Sequence, residues 1–225
     1  VTPPPSTATN LGSLGAVGNG SYLGTYTRPV AGAMGANTAV AFSNPGATTT
    51  AYIGSVNAVN NAALNPSGGF TIEAWVKPNG TISTLLSPVN SMSFTTGRAG
   101  YLIYQNAGTW QFRVGVTTSA TASILNGGTV LANQWQHLVG VYSGGPAGTM
   151  TLYVDGVAVG TNAAATYEVN NNAPFCIGGT SAPKSEQVPH TNTAPFSQAV
   201  QLGNLTHQRL HHGRLGDQSF AAFPQ

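Results

Sequence analysis

The stretch that decides the fold is Phe70-Thr71-Ile72-Glu73-Ala74-Trp75-Val76-Lys77. Apolar residues at positions 70, 72, 74 and 76 alternate with the residues between them, and a period of two is the pattern of a β-strand with one buried face. Pro78-Asn79-Gly80 follows at once and ends the strand, because these residue types favour turns. The alternation places Glu73 on the strand face that also carries Lys77, so we expect these two residues to form a surface pair.

Two hairpins are predicted further along the chain. Tyr101–Gln105 and Trp110–Thr117 flank a turn-forming segment at residues 106–109. The second hairpin has its turn at Asp155-Gly156, between alternating arms at residues 151–154 and 157–160. An Asp-Gly pair tolerates the positive φ angles of a type I′ turn, so we expect Asp155 to have a structural role there.

The rest of the chain has the same character. Short runs of β-branched and aromatic residues recur about every eight to twelve residues and are separated by Gly, Asn and Pro. Trp135–Tyr142 is one of these runs, and good helix formers never accumulate over the length of a helix. We therefore predict an all-β sandwich of two antiparallel sheets.

The composition excludes several classes of partner. Charged residues are 5% of the 225 residues, hydrophobic residues are 41%, and the formal net charge is +2. This charge is too small to attract a phosphate backbone, so we expect no nucleic acid partner. No apolar run is long enough to span a bilayer, so we expect no membrane insertion. The abundance of Thr, Asn and Gly is typical of secreted and surface-displayed bacterial domains, which favours an extracellular or cell-surface location.

Four segments of the chain carry a family resemblance. They are Gly69–Pro78, Gln134–Tyr142, Leu152–Gly156 and Pro174–Gly179. In order and spacing they resemble the LamG-like domains of the concanavalin A-like lectin/glucanase superfamily. The resemblance implies a concanavalin A-like jelly roll of two antiparallel sheets, one of them concave and often facing a glycan. We accordingly divide the chain into a linker-like segment (1–17), a LamG-like domain (18–182) and an atypical C-terminal tail (183–225).

The resemblance also implies a function. It favours a non-catalytic carbohydrate- or partner-binding module of a larger secreted or surface protein. Two alternatives stay open, a glycoside hydrolase acting on β-glycosides and a structural adhesion or spacer domain. A glycosidase needs a pair of carboxyl groups, and the chain lacks the acidic residues two apart on one strand that the glucanases use. If the protein is an enzyme, the candidate catalytic residues are Glu73 and Asp155.

A metal or cofactor is not firmly implied. Members of the family often carry acidic residues in the loop after an early strand, but Phe42–Ala47 contains no carboxylate. Calcium would therefore have to be held by carbonyl and Asn oxygens, with lower affinity. The lone Cys176 lies in an apolar run and is expected to be a buried, inert thiol.

The tail, residues 183–225, departs from the usual ending of the family. It holds four of the five histidines, and His207 and His211 have the i,i+4 spacing of a helical zinc site, although a disordered stretch is the favoured interpretation. A shifted reading frame would explain the tail, because residues 207–217 can be encoded by bases that, displaced by one, read like the ordinary ending of the family. We expect the tail to pack imperfectly. Loss of the closing strand would leave a sheet edge for the tail to cover or for a homodimer to pair.

Glycan recognition uses aromatic rings and planar polar side chains. The candidates are Arg113, Gln111, Trp110 and Tyr104, which lie on the two arms of the first predicted hairpin. Trp110 shares a strand face with Phe112 and Val114, so a core position is its alternative role. Arg113 is the strongest of the four because arginine is rare in this chain. His137 is expected to be a hydrogen-bonded packing residue.

Overall fold

The computed structural model describes residues 6–45, 52–55, 62–79, 87–94, 97–145, 147–170, 172–179 and 195–201. The strands in these ranges are β1 (Thr7–Ala8), β2 (Gly20–Leu23), β3 (Thr25–Ala31), β4 (Thr38–Pro45), β5 (Tyr52–Ser55), β6 (Phe70–Pro78), β7 (Val89–Met92), β8 (Gly100–Asn106), β9 (Thr109–Gly115), β10 (Ser123–Thr129), β11 (Gln136–Tyr142), β12 (Gly148–Val154), β13 (Val157–Ala165), β14 (Cys176–Ile177) and β15 (Pro195–Gln201). The helices in the described part are short 3₁₀ turns at Gly15–Gly18 and Ala62–Leu64.

The strands form two antiparallel sheets. Sheet A has the spatial order β1-β2-β5-β14-β7-β8-β9-β10, and sheet B has the order β13-β12-β11-β6-β15-β4-β3. This arrangement confirms the predicted all-β, concanavalin A-like sandwich. It also confirms the strand at residues 70–77, which is β6 in the middle of sheet B.

Both predicted hairpins are present, and their turns have the expected backbone. Ala107 and Gly108 join β8 to β9 with φ angles of 47° and 80°. Asp155 and Gly156 join β12 to β13 with φ angles of 52° and 79°. Positive φ at both central positions is the condition for a type I′ turn, whose twist matches that of the strands. These turns fix which residues of the two arms face each other.

The core lies between the sheets, and in β6 and β9 the apolar core residues follow the alternation along the strand. In β6 the buried residues are Ile72, Ala74 and Val76, as the period of two predicts. In β9 the buried apolar side chains are Trp110, Phe112 and Val114, each with 0% of its surface exposed. Full burial of side chains of this size stabilises the fold by about 1.5–3 kcal/mol each. Hydrophobic burial between the sheets is therefore the main contribution to the stability of the sandwich.

The buried side-chain amide of Gln136 forms hydrogen bonds to polar groups at the edge of this core. The indole N–H of Trp110 donates to Gln136 Oε1 at 3.0 Å, and the backbone N–H of Leu131 donates to the same oxygen at 2.8 Å. Gln136 Nε2 in turn donates to the carbonyl oxygen of Thr129 at 3.0 Å. Gln136 itself is 2% exposed. Buried polar groups need hydrogen-bond partners, and Gln136 provides the acceptor for the Trp110 indole N–H and the Leu131 backbone N–H.

The two ends of the described chain join the sheets. Thr7 and Ala8, inside the predicted linker, pair with Ser21 and Gly20 of β2. Within the predicted tail, β15 lies between β4 and β6, where Val200 pairs with both Val40 and Val76. The expectation of a missing closing strand is therefore wrong, because the tail provides an interior strand of sheet B. The expected open edge is filled at this position, and the tail histidines lie outside the described residues.

The Gln136 amide gives a test of the core. We expect Gln136→Ala to lower the free energy of unfolding by about 1–3 kcal/mol, because the Trp110 and Leu131 N–H groups lose their buried acceptor. The matched change Gln134→Ala, at an exposed position, should stay within about 0.5 kcal/mol. Urea unfolding measures both values, and equal midpoints for the two variants would contradict the role of Gln136.

Candidate functional site

The strongest candidate site is a polar patch on the outer face of sheet A. Cross-strand pairing places Leu102, Arg113 and Ile124 in one row across β8, β9 and β10, and Tyr104, Gln111 and Asn126 in the next. Opposite residues of an antiparallel pair lie on the same face. These six residues, here called the Arg113 patch, therefore point away from the core that Trp110 and Phe112 occupy.

The polar side chains of the patch are joined by hydrogen bonds. Nε of Arg113 donates to Gln111 Oε1 at 2.9 Å, and Nη2 of Arg113 donates to the same oxygen. The Gln111 amide nitrogen donates to Asn126 Oδ1. Gln111 is 5% exposed, so it is a buried link between a partly exposed arginine and an exposed asparagine. The chain of bonds holds the guanidinium plane in one orientation.

An aromatic ring supports the same guanidinium. Arg113 Cζ lies 4.6 Å from the centre of the Tyr104 ring, within the range of a cation–π contact. Burial raises the pKa of Tyr104, while the nearby Arg113 charge acts in the opposite direction. The phenol is therefore neutral at physiological pH. Burial also lowers the pKa of Arg113, and the Arg98 charge adds to this effect.

The patch lies where the outer face opens to solvent. Leu102, on the β8 side, is 2% exposed, whereas Ile124, on the β10 side, is 42% exposed. Of the four residues predicted for glycan binding, the structure brings Tyr104, Gln111 and Arg113 together. It places Trp110 on the opposite face, with its indole bonded to Gln136. Trp110 thus has the core position that its neighbours Phe112 and Val114 indicated, and it is not part of the site surface.

A second group of chemically active side chains lies on the outer face of sheet B. His137 Nε2 is 2.9 Å from Glu73 Oε1, and the His137 ring stacks on Trp75 with centroids 4.8 Å apart. The backbone N–H of His137 donates to Asp155 Oδ1 at 2.7 Å. His137 therefore links Glu73 and Asp155, the two residues predicted to act if the protein is an enzyme. Glu73, expected to pair with Lys77, has His137 as its partner instead.

The two carboxylates of this group have different surroundings. The Glu73 side chain is 51% exposed, and the hydrogen bond from His137 lowers its pKa, against burial, which raises it. Asp155 binds the β11 backbone through Oδ1, and its Oδ2 lies 3.5 Å from the Gln136 amide nitrogen. Asp155 thus has a structural role in the β12–β13 turn, as the Asp-Gly pair indicated. The arrangement anchors the hairpin and orients the imidazole.

The remaining chemical candidates can also be placed. The Cys176 thiol is buried and donates to the carbonyl oxygen of Pro174 at 3.7 Å. Among the described residues, no group of three or more His, Cys, Asp or Glu side chains is placed to hold a metal ion. No helix in the described part is of membrane-spanning length and apolarity.

Sequence reasoning missed several members of both groups. Asn126 and Ile124 lie on β10, and their position beside Gln111 and Arg113 depends on how that strand pairs with β9. The Trp75–His137 contact joins β6 to β11, two strands that are distant in sequence. A sequence pattern with a period of two shows which face of the sheet a residue lies on, but it does not show which strand is its neighbour. No local signal could have found these neighbours.

Comparison with known proteins gives one family and several structural neighbours. The family model Laminin_G_3, described as the concanavalin A-like lectin/glucanases superfamily, matches residues 36–192. No curated protein matches the chain.

The solved structures similar to the chain include toxin binding domains. One concerns botulinum neurotoxin type C, whose cell entry "is dependent upon interaction with two ganglioside molecules" (TM-score 0.58, 13% identity, 81% of this chain and 42% of that chain). Another is the binding domain of Paraclostridial Mosquitocidal Protein 1 (TM-score 0.56, 14% identity, 87% of this chain and 42% of that chain). A third is the binding domain of botulinum neurotoxin DC in complex with rat synaptotagmin II (TM-score 0.56, 12% identity, 81% and 42%). At these identities the likeness concerns the fold alone, and the chain spans less than half of each of these proteins.

The Glu73–His137 hydrogen bond gives a pH-dependent test. A lowered folded-state pKa stabilises the fold at neutral pH, and this contribution is lost as the pH falls through the pKa of Glu73. Because the pair is half exposed, we expect less than about 1 kcal/mol from it. In His137→Ala the Glu73 pKa should rise towards its ordinary value of 4.5, measured by carboxyl NMR titration. Glu168, which accepts hydrogen bonds from Thr117, is the internal control and should not move. An unchanged Glu73 pKa would show that the bond does not form in solution.

Proposed function

The chain belongs to the concanavalin A-like lectin/glucanases superfamily, and on this basis we propose that it is a non-catalytic glycan-binding module. We propose further that it is part of a larger secreted or surface protein and acts outside the cell. Its low proportion of charged residues, 5%, supports such a location. The observation that carries the proposal is the Arg113 patch, an ordered set of planar polar groups beside an aromatic ring.

The chemistry of the patch suits a sugar. Carbohydrate hydroxyls are recognised by planar side chains with fixed donors and acceptors, and sugar C–H groups pack on aromatic or aliphatic surfaces. Arg113 and Asn126 provide the polar edges, while Tyr104 and the exposed Ile124 provide apolar surface. The hydrogen bonds through Gln111 hold these groups in place before a ligand arrives. A site ordered in advance loses less conformational entropy when it binds.

The structural neighbours support the same class of function. The neurotoxin type C structure concerns interaction with gangliosides, another neurotoxin binding domain was solved with SialylT, and a third was solved with synaptotagmin II. These are properties of those proteins. They support the proposal because they place glycan and protein recognition among the uses of this fold.

The contacts of the carboxylates favour binding over hydrolysis. Asp155 is committed to the backbone of β11 and lies at a turn with positive φ. Glu73 accepts a hydrogen bond from His137. In a retaining glycosidase the two carboxyl groups stand about 5–5.5 Å apart and act on opposite sides of one glycosidic bond. An Asp that anchors a hairpin is poorly suited to that task, so the glycoside hydrolase is the second candidate.

The test of glycan binding compares two surface variants. In affinity electrophoresis through gels that contain polysaccharides, we expect the wild-type protein to be retarded by at least one of them. Asn126→Ala should weaken this retention by about fivefold, because the patch loses one hydrogen-bonding edge. Gln134→Ala, at an exposed position outside the patch, should match the wild type.

The same protein samples distinguish the rival functions. Turnover of chromogenic β-glycosides that Glu73→Gln or Asp155→Asn abolishes, with the circular dichroism unchanged, would establish a hydrolase and overturn the proposal. A protein with neither turnover nor retention would be a structural adhesion or spacer domain. Analytical ultracentrifugation tests the homodimer, which would appear as a concentration-dependent increase in mass.

A further inference from the structure

The Arg113 patch carries a positive charge that no described carboxylate neutralises. In the described part of the chain, Glu73 is paired with His137, Asp155 binds the β11 backbone, and Glu168 accepts hydrogen bonds from Thr117. None of these three groups lies within ion-pair distance of Arg113 in that part. A guanidinium removed from water usually has an anionic partner, because its charge is costly to desolvate alone. Arg113 instead has an amide oxygen and an aromatic ring.

The hydrogen bonds of Arg113 show which side of the guanidinium remains open. Nε and Nη2 both donate to Gln111 Oε1, so this oxygen occupies the lateral edge of the fork. Nη1 has no acceptor among the described residues. The opposite edge, formed by Nη1 and the second N–H of Nη2, is therefore available. A planar carboxylate matches such an edge, since a guanidinium can donate two parallel N–H bonds to its two oxygens.

The second polar group of the patch is also a donor. Asn126 uses its Oδ1 to accept from Gln111, so its amide nitrogen is the donor that this exposed side chain can offer to a ligand. Donors without a matching acceptor favour a ligand rich in acceptor oxygens. The exposed Ile124 lies beside Arg113 in the same row and gives a sugar ring an apolar surface. The buried Leu102 closes the row on the other side.

The electrostatic surroundings of Arg113 also favour an anionic ligand. Burial lowers the pKa of Arg113, Tyr104 acts in the opposite direction, and the charge of Arg98 adds to the lowering. An arginine keeps its proton at neutral pH in spite of such effects. An anion on the open edge of Arg113 would offset this unfavourable effect on the guanidinium charge. With a net charge of only +2, the chain as a whole attracts anions weakly, so recognition of an acidic sugar would depend on the local contacts of Arg113.

We propose that the Arg113 patch binds an acidic sugar, with a single hexuronate-type carboxylate on the open edge of Arg113 and the sugar ring over Ile124. This inference rests on the proposed function and names the chemical class of its ligand. Gln111 is a positioning residue that holds the guanidinium over the Tyr104 ring. Asn126 donates to a ring or hydroxyl oxygen of the same sugar.

The experiment varies the carboxylate of the ligand as well as the arginine of the protein. Binding of polygalacturonate, alginate and hyaluronan is measured beside the same polymers after reduction of their carboxyl groups to alcohols. We expect the wild-type protein to bind at least one acidic polymer, and to bind its reduced form at least about tenfold more weakly. Binding should also weaken as the salt concentration rises, because an exposed ion pair is screened.

Three variants complete the design. Arg113→Gln should lower the affinity for the acidic polymer to that for its reduced form. Arg113→Lys keeps the charge but loses the fork, and should lie between the two. Lys77→Gln removes a cation from the other sheet and should change nothing. Thermal unfolding checks each fold, and the comparison of acidic with reduced polymers needs no variant at all.

The outcomes separate this inference from the proposed function. Equal binding of acidic and reduced polymers, unaffected by Arg113→Gln, would overturn the acidic ligand and leave a neutral glycan site. Binding of dextran sulfate but of no polyuronate would assign the edge to a sulfate ester and also overturn the carboxylate. Failure to bind any acidic, sulfated or neutral glycan would overturn the proposed function itself.

Discussion

The register of β8 against β9 is the constraint on which both the core and the patch depend. The Ala107-Gly108 turn sets this register, and it directs Trp110 and Phe112 inwards and Gln111 and Arg113 outwards. A slip of one residue would exchange these two sets of side chains. It would place a guanidinium inside the sandwich, at a cost of several kcal/mol. The register that buries the apolar residues of β9 therefore also determines which polar residues lie on the outer face.

Local features of the fold could be predicted from the sequence, and non-local ones could not. The alternation in residues 70–77 and the Asp155-Gly156 turn act within a few residues, so they identify a strand and a hairpin directly. The order of the strands depends on contacts across long stretches of chain. The pairing of β6 with β11, which brings His137 to Glu73 and Trp75, is of that kind. The position of β15 is another, because its composition resembles no closing strand of the family.

The candidate site was predictable to a similar extent. Gln111 and Arg113 are two apart on one strand, so alternation alone places them on one face, and hairpin pairing adds Tyr104. Residue type alone did not decide the role of Trp110, because an aromatic ring can pack in a hydrophobic core or against a sugar. The cross-strand neighbour Asn126 required the third strand. Because this chain has so few charged residues, the role of each one is indicated more by its partner in the fold than by its residue type.

The central position of β15 has a consequence for the order of events during synthesis. Val200 lies between Val40 and Val76 in sheet B, so this sheet is incomplete until the ribosome has released the chain beyond residue 201. Until then, the edges of β4 and β6 that face β15 lack their hydrogen-bond partner. Such non-local pairing slows folding and exposes unpaired strand edges to other chains. A nascent chain of this protein therefore exposes these two strand edges until β15 has been translated.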